Sequence, residues 1–123
     1  MGNIVGIQLG LASSAVAQLD ETGRAVIVHN LDGENITPSV VEFCSEDQIF
    51  VGSEAKKSLG LGDKNVLGRF LRDMGTDKKY ETDYGDFSPK DLSALVLAKL
   101  KNDTEDKIGE IDSAVYNTCE FFQ

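Results

Sequence analysis

The sequence predicts an α/β fold in which a mixed sheet packs against a small number of helices. Two partly alternating apolar runs, residues 4–9 and 15–19, enclose a small polar patch, which is the pattern of a β-hairpin. Residues 89–104 have the apolar spacing of a long amphipathic helix, and residues 111–118 have that of a strand. This order favours a parallel pairing of the last strand with the first, with the long helix as the crossover.

The polar patch of the first hairpin has two possible interpretations. Gly10, Ala12, Ser13 and Ser14 are small enough to form a tight turn between the two strands. A plain hairpin turn is the simpler interpretation. In the more specific interpretation, the backbone N–H groups of the turn bind an anion such as a phosphate, and the hydroxyls assist.

The middle of the chain is predicted to contain short elements. A β-branched run before His29 should complete an antiparallel meander over residues 3–29, and Pro38 should precede a small strand region over residues 39–51. Short helices are expected near residues 53–60 and 65–74. The acidic segment 77–86 is predicted to be a surface loop or a short hairpin, and its tyrosines, Tyr80 and Tyr84, leave a peptide-binding role open as an alternative.

The long helix carries its own start signals. Ser88 is a good N-cap residue, Pro89 suits the first helical position, and Asp91 places a negative charge in the first turn. The apolar stripe predicted to face the core consists of Leu92, Leu95, Val96 and Leu100, while Lys99 is expected in solvent.

The charge balance and the cysteines restrict the possible functions. Twelve basic and 21 acidic residues give a formal charge of −9, which argues against nucleic acid as a partner. Apolar runs fall short of the roughly 18 residues of a membrane span. Cys44 and Cys119 stand apart from any metal-ligand motif, as expected of reduced cysteines in the cytoplasm. A signal peptide ending near Ala17 is disfavoured because no positive charge precedes the apolar segment.

Several segments resemble the heat-shock protein 70 chaperones of the DnaK type. Ile4-Val-Gly-Ile-Gln-Leu-Gly10 is similar to the family text Ile-Gly-Ile-Asp-Leu-Gly, and Thr37-Pro-Ser-Val-Val41 to Thr-Pro-Ser-Val-Val. Val51-Gly-Ser-Glu-Ala-Lys56 and Ser88-Pro-Lys-Asp-Leu-Ser-Ala94 also resemble family segments, so that the resemblance covers nearly the whole chain. It implies an actin-like ATPase fold, related to ribonuclease H, and a chain that holds the first part of the nucleotide-binding domain.

The resemblance also implies where nucleotide would bind and shows that this chain departs from the family pattern there. The family uses ATP and magnesium, yet the carboxylate that organises the hydrated metal falls on Gln8, and the lysine that contacts the transferred phosphate falls on Leu71. A neutral amide cannot balance a divalent cation, and a leucine supplies no positive charge to a phosphoryl group. No catalytic residue and no metal site are predicted, and no cofactor is expected for this chain. The positions interpreted as a vestigial phosphate site are Gly10, Ser13, Ser14 and Arg72, with substitutions at Gln8, Leu11, Ala12 and Leu71.

These departures lead to two functional hypotheses. One is a fragment or degenerate relative of a chaperone ATPase domain, occupying residues 1–123 as a single domain that comprises the first lobe and its upper subdomain. The other is a non-enzymatic interaction module on the same scaffold. The concentration of changes at nucleotide-facing positions favours a pseudo-ATPase or a redesigned fragment, and sequence reasoning leaves both open. ATP hydrolysis by this chain is not expected.

The expected partners are proteins, either a co-chaperone or a second copy of the chain. If the chain ends at Gln123, apolar residues of the sheet, including Ile4 and Phe121, must meet solvent or another molecule. Exposed apolar patches and bare sheet edges favour association. A symmetric dimer is therefore expected, and exchange of the terminal strand between the two copies is one way to form it.

Overall fold

The computed structural model describes residues 3–117. Ten short strands and two α-helices form in these residues, together with one 3-10 helix at Phe70–Asp73. The α-helices are α1 (Ser53–Lys56) and α2 (Pro89–Ile108). The strands in chain order are β1 (Asn3–Gln8), β2 (Ser13–Leu19), β3 (Ala25–Ile27), β4 (Thr37–Pro38), β5 (Val40–Phe43), β6 (Ile49–Val51), β7 (Val66–Gly68), β8 (Tyr80–Thr82), β9 (Gly85–Phe87) and β10 (Ile111–Asn117).

The larger sheet has the strand order β10-β1-β2-β3, with β4 added to the other end of β2. β1 and β2 pair antiparallel with Ile7 opposite Val16, and both of these side chains are buried. β10 pairs parallel with β1, and α2 connects the two halves of the chain as the crossover. The predicted meander and the predicted parallel return strand are both confirmed for the described residues.

The second sheet consists of β5 between β6 and β7, all antiparallel. The prediction of a helix over residues 65–74 is wrong, because Val66 and Leu67 pair with β5 and are buried there. The turn before β7 is held by the Asp63 carboxylate, which accepts the Asn65 N–H at 2.8 Å. Arg69 then adopts a left-handed conformation, with a φ of 56°, and only the 3-10 helix follows.

Two predictions for the short elements are refined by the structure. The helix expected over residues 53–60 ends at Lys56, and Gly60 and Gly62 follow at positive φ angles that suit a turn. The acidic segment forms the hairpin of β8 and β9, which is one of the two forms expected for it. Phe87 in this hairpin stacks on Phe43 of β5, with ring centroids 4.3 Å apart.

α2 begins with the predicted cap. The Ser88 hydroxyl accepts the Asp91 N–H and the Asp91 carboxylate accepts the Ser88 N–H, both at 3.0 Å, which makes a complete capping box. These hydrogen bonds lower the pKa of Asp91. Leu92, Val96 and Leu100 are buried as predicted, whereas Leu95 is only half-buried.

The helices are short or polar compared with a membrane span, and none within residues 3–117 is long and apolar enough to cross a membrane.

The main core lies where α2 meets both sheets. The buried members of this core come from β1, the loop after it, β2, β5, β7, the 3-10 helix and α2, and are Val5, Ile7, Leu9, Val16, Val41, Phe43, Leu67, Phe70, Leu71, Leu92, Val96 and Leu100. The expected terminal strand residues from Thr118 onward, including Cys119, Phe121 and Phe122, lie outside the described residues.

Candidate functional site

The loop between β1 and β2 is the candidate site, and its polar groups hydrogen-bond to one another. Gly10 is buried, and its N–H donates to the Ser14 hydroxyl at 3.3 Å. Ser14 is only 2% exposed, because β2 turns its side chain toward the core like that of Val16. The hydroxyl predicted to assist an anion is therefore shielded from solvent.

Ser39, which sequence reasoning did not single out, closes this loop from the β4–β5 side. Its hydroxyl donates to the Gly10 carbonyl at 2.9 Å and lies 2.9 Å from the Ser14 hydroxyl. Its backbone N–H donates to the Ala12 carbonyl at 3.0 Å. The signal available in the sequence was its place directly after Pro38, in one of the segments that resemble the family.

Leu71 belongs to the core. The left-handed turn at Arg69 starts the 3-10 helix, which directs Phe70 and Leu71 into the interior. Leu71 is 4% exposed and lies in the same apolar cluster as Leu9, and Leu11 packs against that cluster. Two positions that would face nucleotide in the resembled family thus contribute apolar contacts here.

The remaining predicted positions lie toward solvent. Gln8 ends β1 and is exposed, and Ala12 is exposed in the loop. Ser13 is half-buried opposite Pro38 in the pairing of β2 with β4. Arg72 is exposed beside Leu71, and its charge acts on the nearby Tyr80. The structure therefore places Gly10 in the loop and Ser13 and Ser14 at the start of β2, and it does not arrange the three residues as an open cradle.

The chemistry of this site does not fit a magnesium–triphosphate group. The hydroxyl of Ser14 and the N–H of Gly10 already bond to each other, and the position expected to carry a lysine is a buried leucine. Within residues 3–117, no three side chains of the His, Cys, Asp and Glu types converge in a way that could hold a metal ion.

A second polar network fixes the loop after β3 onto α2. Lys99 and Asp103 form an ion pair at 2.7 Å with side chains only 21% and 6% exposed, so the expectation that Lys99 lies in solvent is wrong. The Asp103 carboxylate also accepts the Leu31 N–H at 3.2 Å. Asn30 in the same loop is buried, and its amide donates to the Thr37 hydroxyl at 3.0 Å. Sequence reasoning missed the link between Leu31 and Asp103 because these residues are 72 positions apart, whereas the i,i+4 spacing of Lys99 and Asp103 was a signal that it did not use.

The 3-10 helix is tied to the β8–β9 hairpin by a tyrosine. The Tyr80 hydroxyl donates to the Asp73 carboxylate at 2.5 Å. Burial and this carboxylate raise the pKa of Tyr80 to about 12. Tyr84 instead donates to the Cys44 carbonyl at 2.9 Å, so both tyrosine hydroxyls considered for peptide binding have intramolecular partners.

Comparison with known families agrees with this fold. The family model described as Hsp70 protein matches residues 4–85, which is most of the chain. The chain belongs to the Hsp70 family. The mixed sheet with few helices is that of the amino-terminal lobe of the actin-like Hsp70 ATPase domain.

The relatives of this Hsp70-family chain are proteins named chaperone protein DnaK. The chaperone protein DnaK of Thermotoga petrophila is 38% identical over 120 residues, which are 97% of this chain and 20% of that protein. The DnaK proteins of Thermosipho melanesiensis and Thermosipho africanus are 37% and 36% identical over the same shares. The chain therefore spans about a fifth of the length of these relatives and is homologous to part of the DnaK ATPase domain.

Proposed function

We propose that this chain is a non-hydrolysing version of the amino-terminal scaffold of the Hsp70 nucleotide-binding domain. The observation that carries the proposal is the burial of Leu71 at 4% exposure within the main core. Phosphoryl transfer is catalysed by positioned charges, and a buried leucine supplies none. In this proposal, Leu71 and Leu11 stabilise the scaffold at the place where relatives act on phosphate.

The loop of Gly10 supports the same conclusion. An anion cradle needs N–H and hydroxyl groups that are free to turn toward the ligand. Here the Ser14 hydroxyl would have to leave both Gly10 and Ser39 before it could contact a phosphate. Breaking buried hydrogen bonds costs about 1–3 kcal/mol for each group left unsatisfied, which weakens any binding by that amount.

We also propose that this non-hydrolysing scaffold has a role connected with chaperones. The relatives are named chaperone proteins, and Cys44 is a free thiol whose pKa is raised by burial and by nearby carboxylates, as suits an unreactive residue in a reducing compartment. A cytoplasmic location, a role in the stress response and a co-chaperone as partner follow as parts of the proposal.

Calorimetric titration with magnesium-ATP tests the proposal directly. We expect no binding tighter than a Kd of about 1 mM, equivalent to roughly −4 kcal/mol, and no phosphate release. A micromolar Kd or measurable turnover would overturn it.

A matched pair of variants tests the role of residue 71. Leu71→Lys should lower the midpoint of urea unfolding strongly, because it places an unpaired charge in the core, and it should not create ATP binding. Leu61→Lys is the control, since Leu61 is 77% exposed and should tolerate the same change. ATP binding gained by Leu71→Lys without loss of stability would show that residue 71 still faces a competent nucleotide site.

The alternative, a non-enzymatic interaction module, is favoured by the outer face of the large sheet. Small residues form its floor, among them Gly6, Ala15 and Ala17, and together with Ile27 and Val115 they line a groove of about 230 Å³. Val115 is 66% exposed, and apolar surface of this kind usually marks an interface. Binding of a partner with ATP absent and with the wild-type loop intact would support this function.

A further inference from the structure

A small cavity lies between α2, β2 and the loop that connects β3 to β4. Its volume is about 10 Å³, and all of its lining residues fall within residues 15–104. A cavity needs roughly 10–15 Å³ to hold one water molecule, so the space here matches a single water. Its polar lining residues are Asn30, Asn35, Thr37, Asp103 and Thr104.

The hydroxyl of Thr104 is one polar group that is available at this cavity. Thr104 is only 3% exposed, and its hydroxyl has no hydrogen-bond partner among residues 3–117. A threonine inside a helix can donate to the carbonyl four residues earlier, which is that of Leu100, but this bond does not form in the described part of the chain. The Thr104 hydroxyl therefore keeps both its donor and its acceptor capacity.

One oxygen of the Asp103 carboxylate is also available. The Oδ2 atom accepts the Leu31 N–H at 3.2 Å and the Lys99 ammonium at 2.7 Å. The Oδ1 atom has no partner within the described residues, although the Asp103 side chain is only 6% exposed. Burial of a carboxylate is costly unless its oxygens are hydrogen-bonded. The Oδ1 atom thus requires a small ligand that can donate a hydrogen bond.

Thr37 of β4 supplies a third group, whereas Asn30 supplies none. The Thr37 hydroxyl accepts the Asn30 amide at 3.0 Å, and its own proton has no acceptor in the described part of the chain. The Asn30 amide nitrogen donates to Thr37 and to the Ile36 carbonyl. The Asn30 amide oxygen accepts the N–H groups of Asp32 and Glu34, so the hydrogen-bonding capacity of this side chain is fully used.

We propose that this cavity binds one ordered water molecule. Among the described residues, no side-chain nitrogen or oxygen that is sealed from water lacks a hydrogen-bond partner. The Thr104 hydroxyl and Asp103 Oδ1 therefore border space that water can reach, and both residues line the cavity. The water donates to Asp103 Oδ1, accepts from the Thr37 hydroxyl and hydrogen-bonds to the Thr104 hydroxyl. Three partners are the usual number for a buried water.

The bound water connects α2 to β4, next to the candidate loop. Water-mediated hydrogen bonds are nearly as favourable as direct ones, so the water adds to the direct contact between Asp103 and Leu31. Ser39 follows Thr37 by two residues, and its hydroxyl donates to the Gly10 carbonyl. The water therefore helps to hold Ser39 in the position from which it closes the turn between β1 and β2.

A high-resolution crystal structure of the 123-residue chain tests the site directly. We expect one peak of water density at about 2.5–3.0 Å from both the Thr104 Oγ1 and the Asp103 Oδ1 atoms. A cavity without density would overturn the proposal, and so would a Thr104 rotamer whose hydroxyl donates to the Leu100 carbonyl.

Two substitutions at the same position separate the hydroxyl from the shape of the side chain. Thr104→Val removes the hydroxyl and should remove the water from the crystal structure, whereas Thr104→Ser keeps the hydroxyl and should keep the water. Water density that persists unchanged in Thr104→Val would show that Thr104 does not hold it and would refute the site as described.

Native-state hydrogen exchange tests the connection in solution. In Thr104→Val, the amides of Leu31 and Ser39 should exchange about two- to tenfold faster relative to those of β5, a factor that corresponds to one lost hydrogen bond. Thr104→Ser should exchange like the wild type. The matched control is Ser93→Ala, which removes another buried hydroxyl of α2, one that donates to the Met74 sulfur, and should leave both amides unchanged. Equal rates in Thr104→Val and the wild type, or the same increase in Ser93→Ala, would contradict the water-mediated connection.

Discussion

Ser14 and Ser39 show how a hydroxyl available for ligand binding in principle becomes part of the fold. Both side chains are almost completely buried, at 2% and 1% exposure, and they share one contact at 2.9 Å. Ser39 also donates to the Gly10 carbonyl, which fixes the turn between β1 and β2. A phosphate-binding loop has N–H and hydroxyl groups that can turn toward a ligand, whereas in this turn those of Gly10, Ser14 and Ser39 already hydrogen-bond within the protein.

We expect the two serines to be energetically coupled. Ser39→Ala should destabilise the chain by about 1–3 kcal/mol, because the Gly10 carbonyl and the Ser14 hydroxyl each lose a buried partner. Once Ser39 is alanine, Ser14→Ala should cost less than it does in the wild type, with an interaction energy of about 0.5–3 kcal/mol. Urea unfolding of the two single variants and the double variant measures this cycle. Simple additivity would contradict the hydrogen bond between the hydroxyls.

Lys99→Ala should be clearly destabilising, although its charge suggests an exposed residue. The substitution leaves the Asp103 carboxylate buried without its cation, with the Leu31 N–H still donating to it, and hydrogen bonds to charged groups contribute about 1.5–3 kcal/mol. Thermal and urea unfolding against Lys107→Ala, an exposed lysine of the same helix, provide the comparison. Equal stabilities of the two variants would place the ion pair among those that contribute little.

The elements differ in how far the sequence determined them. α2 was predictable because Ser88, Pro89 and Asp91 are start signals that act locally, within one turn. The segment around β7 was not, since Val66, Leu67, Phe70 and Leu71 have helix-like spacing. Pairing of β7 with β5 and the left-handed Arg69 prevail over that local pattern, and both depend on contacts made elsewhere in the chain.

The candidate site was predictable to the same limited degree. The sequence located a tight connection after Gly10, because small residues between two apolar runs are local information, but it assigned Ser13 and Ser14 to the turn, whereas they begin β2 and pair with β4. It did not indicate that Ser39 would bond to Ser14, which lies 25 positions away. Burial of Leu71 also depends on where α2 and both sheets meet, and that is set by the whole fold.

The contact between the 3-10 helix and the β8–β9 hairpin should depend on alkaline pH. The folded chain raises the pKa of Tyr80 to about 12, so it retains a proton that the unfolded chain, with an ordinary tyrosine, releases near pH 10. The stability contributed by the protonated tyrosine is therefore complete below pH 10 and is lost as the pH rises toward 12. Urea unfolding at a series of pH values should show this decline.

Tyr80→Phe isolates the effect. The variant lacks the hydroxyl that donates to Asp73, so its stability should fall less steeply than that of the wild type between pH 10 and 12. Absorbance at alkaline pH should also lose the tyrosine ionisation step near pH 12. Parallel stability curves for the two proteins over this range would mean that the hydroxyl is not held by Asp73 in solution.

At the scale of the whole molecule, one core serves two different sheets. α2 contacts β2 of the larger sheet, β5 and β6 of the smaller sheet, and the 3-10 helix. Leu71 belongs to the same buried cluster as Val5, Ile7 and Val16, so a disturbance at Leu71 reaches the strands of the candidate loop. Apart from the buried Asp103, the acidic residues of the described part of the chain are exposed or half-buried around this core. Their mutual repulsion opposes any association of copies, whatever the contact surface.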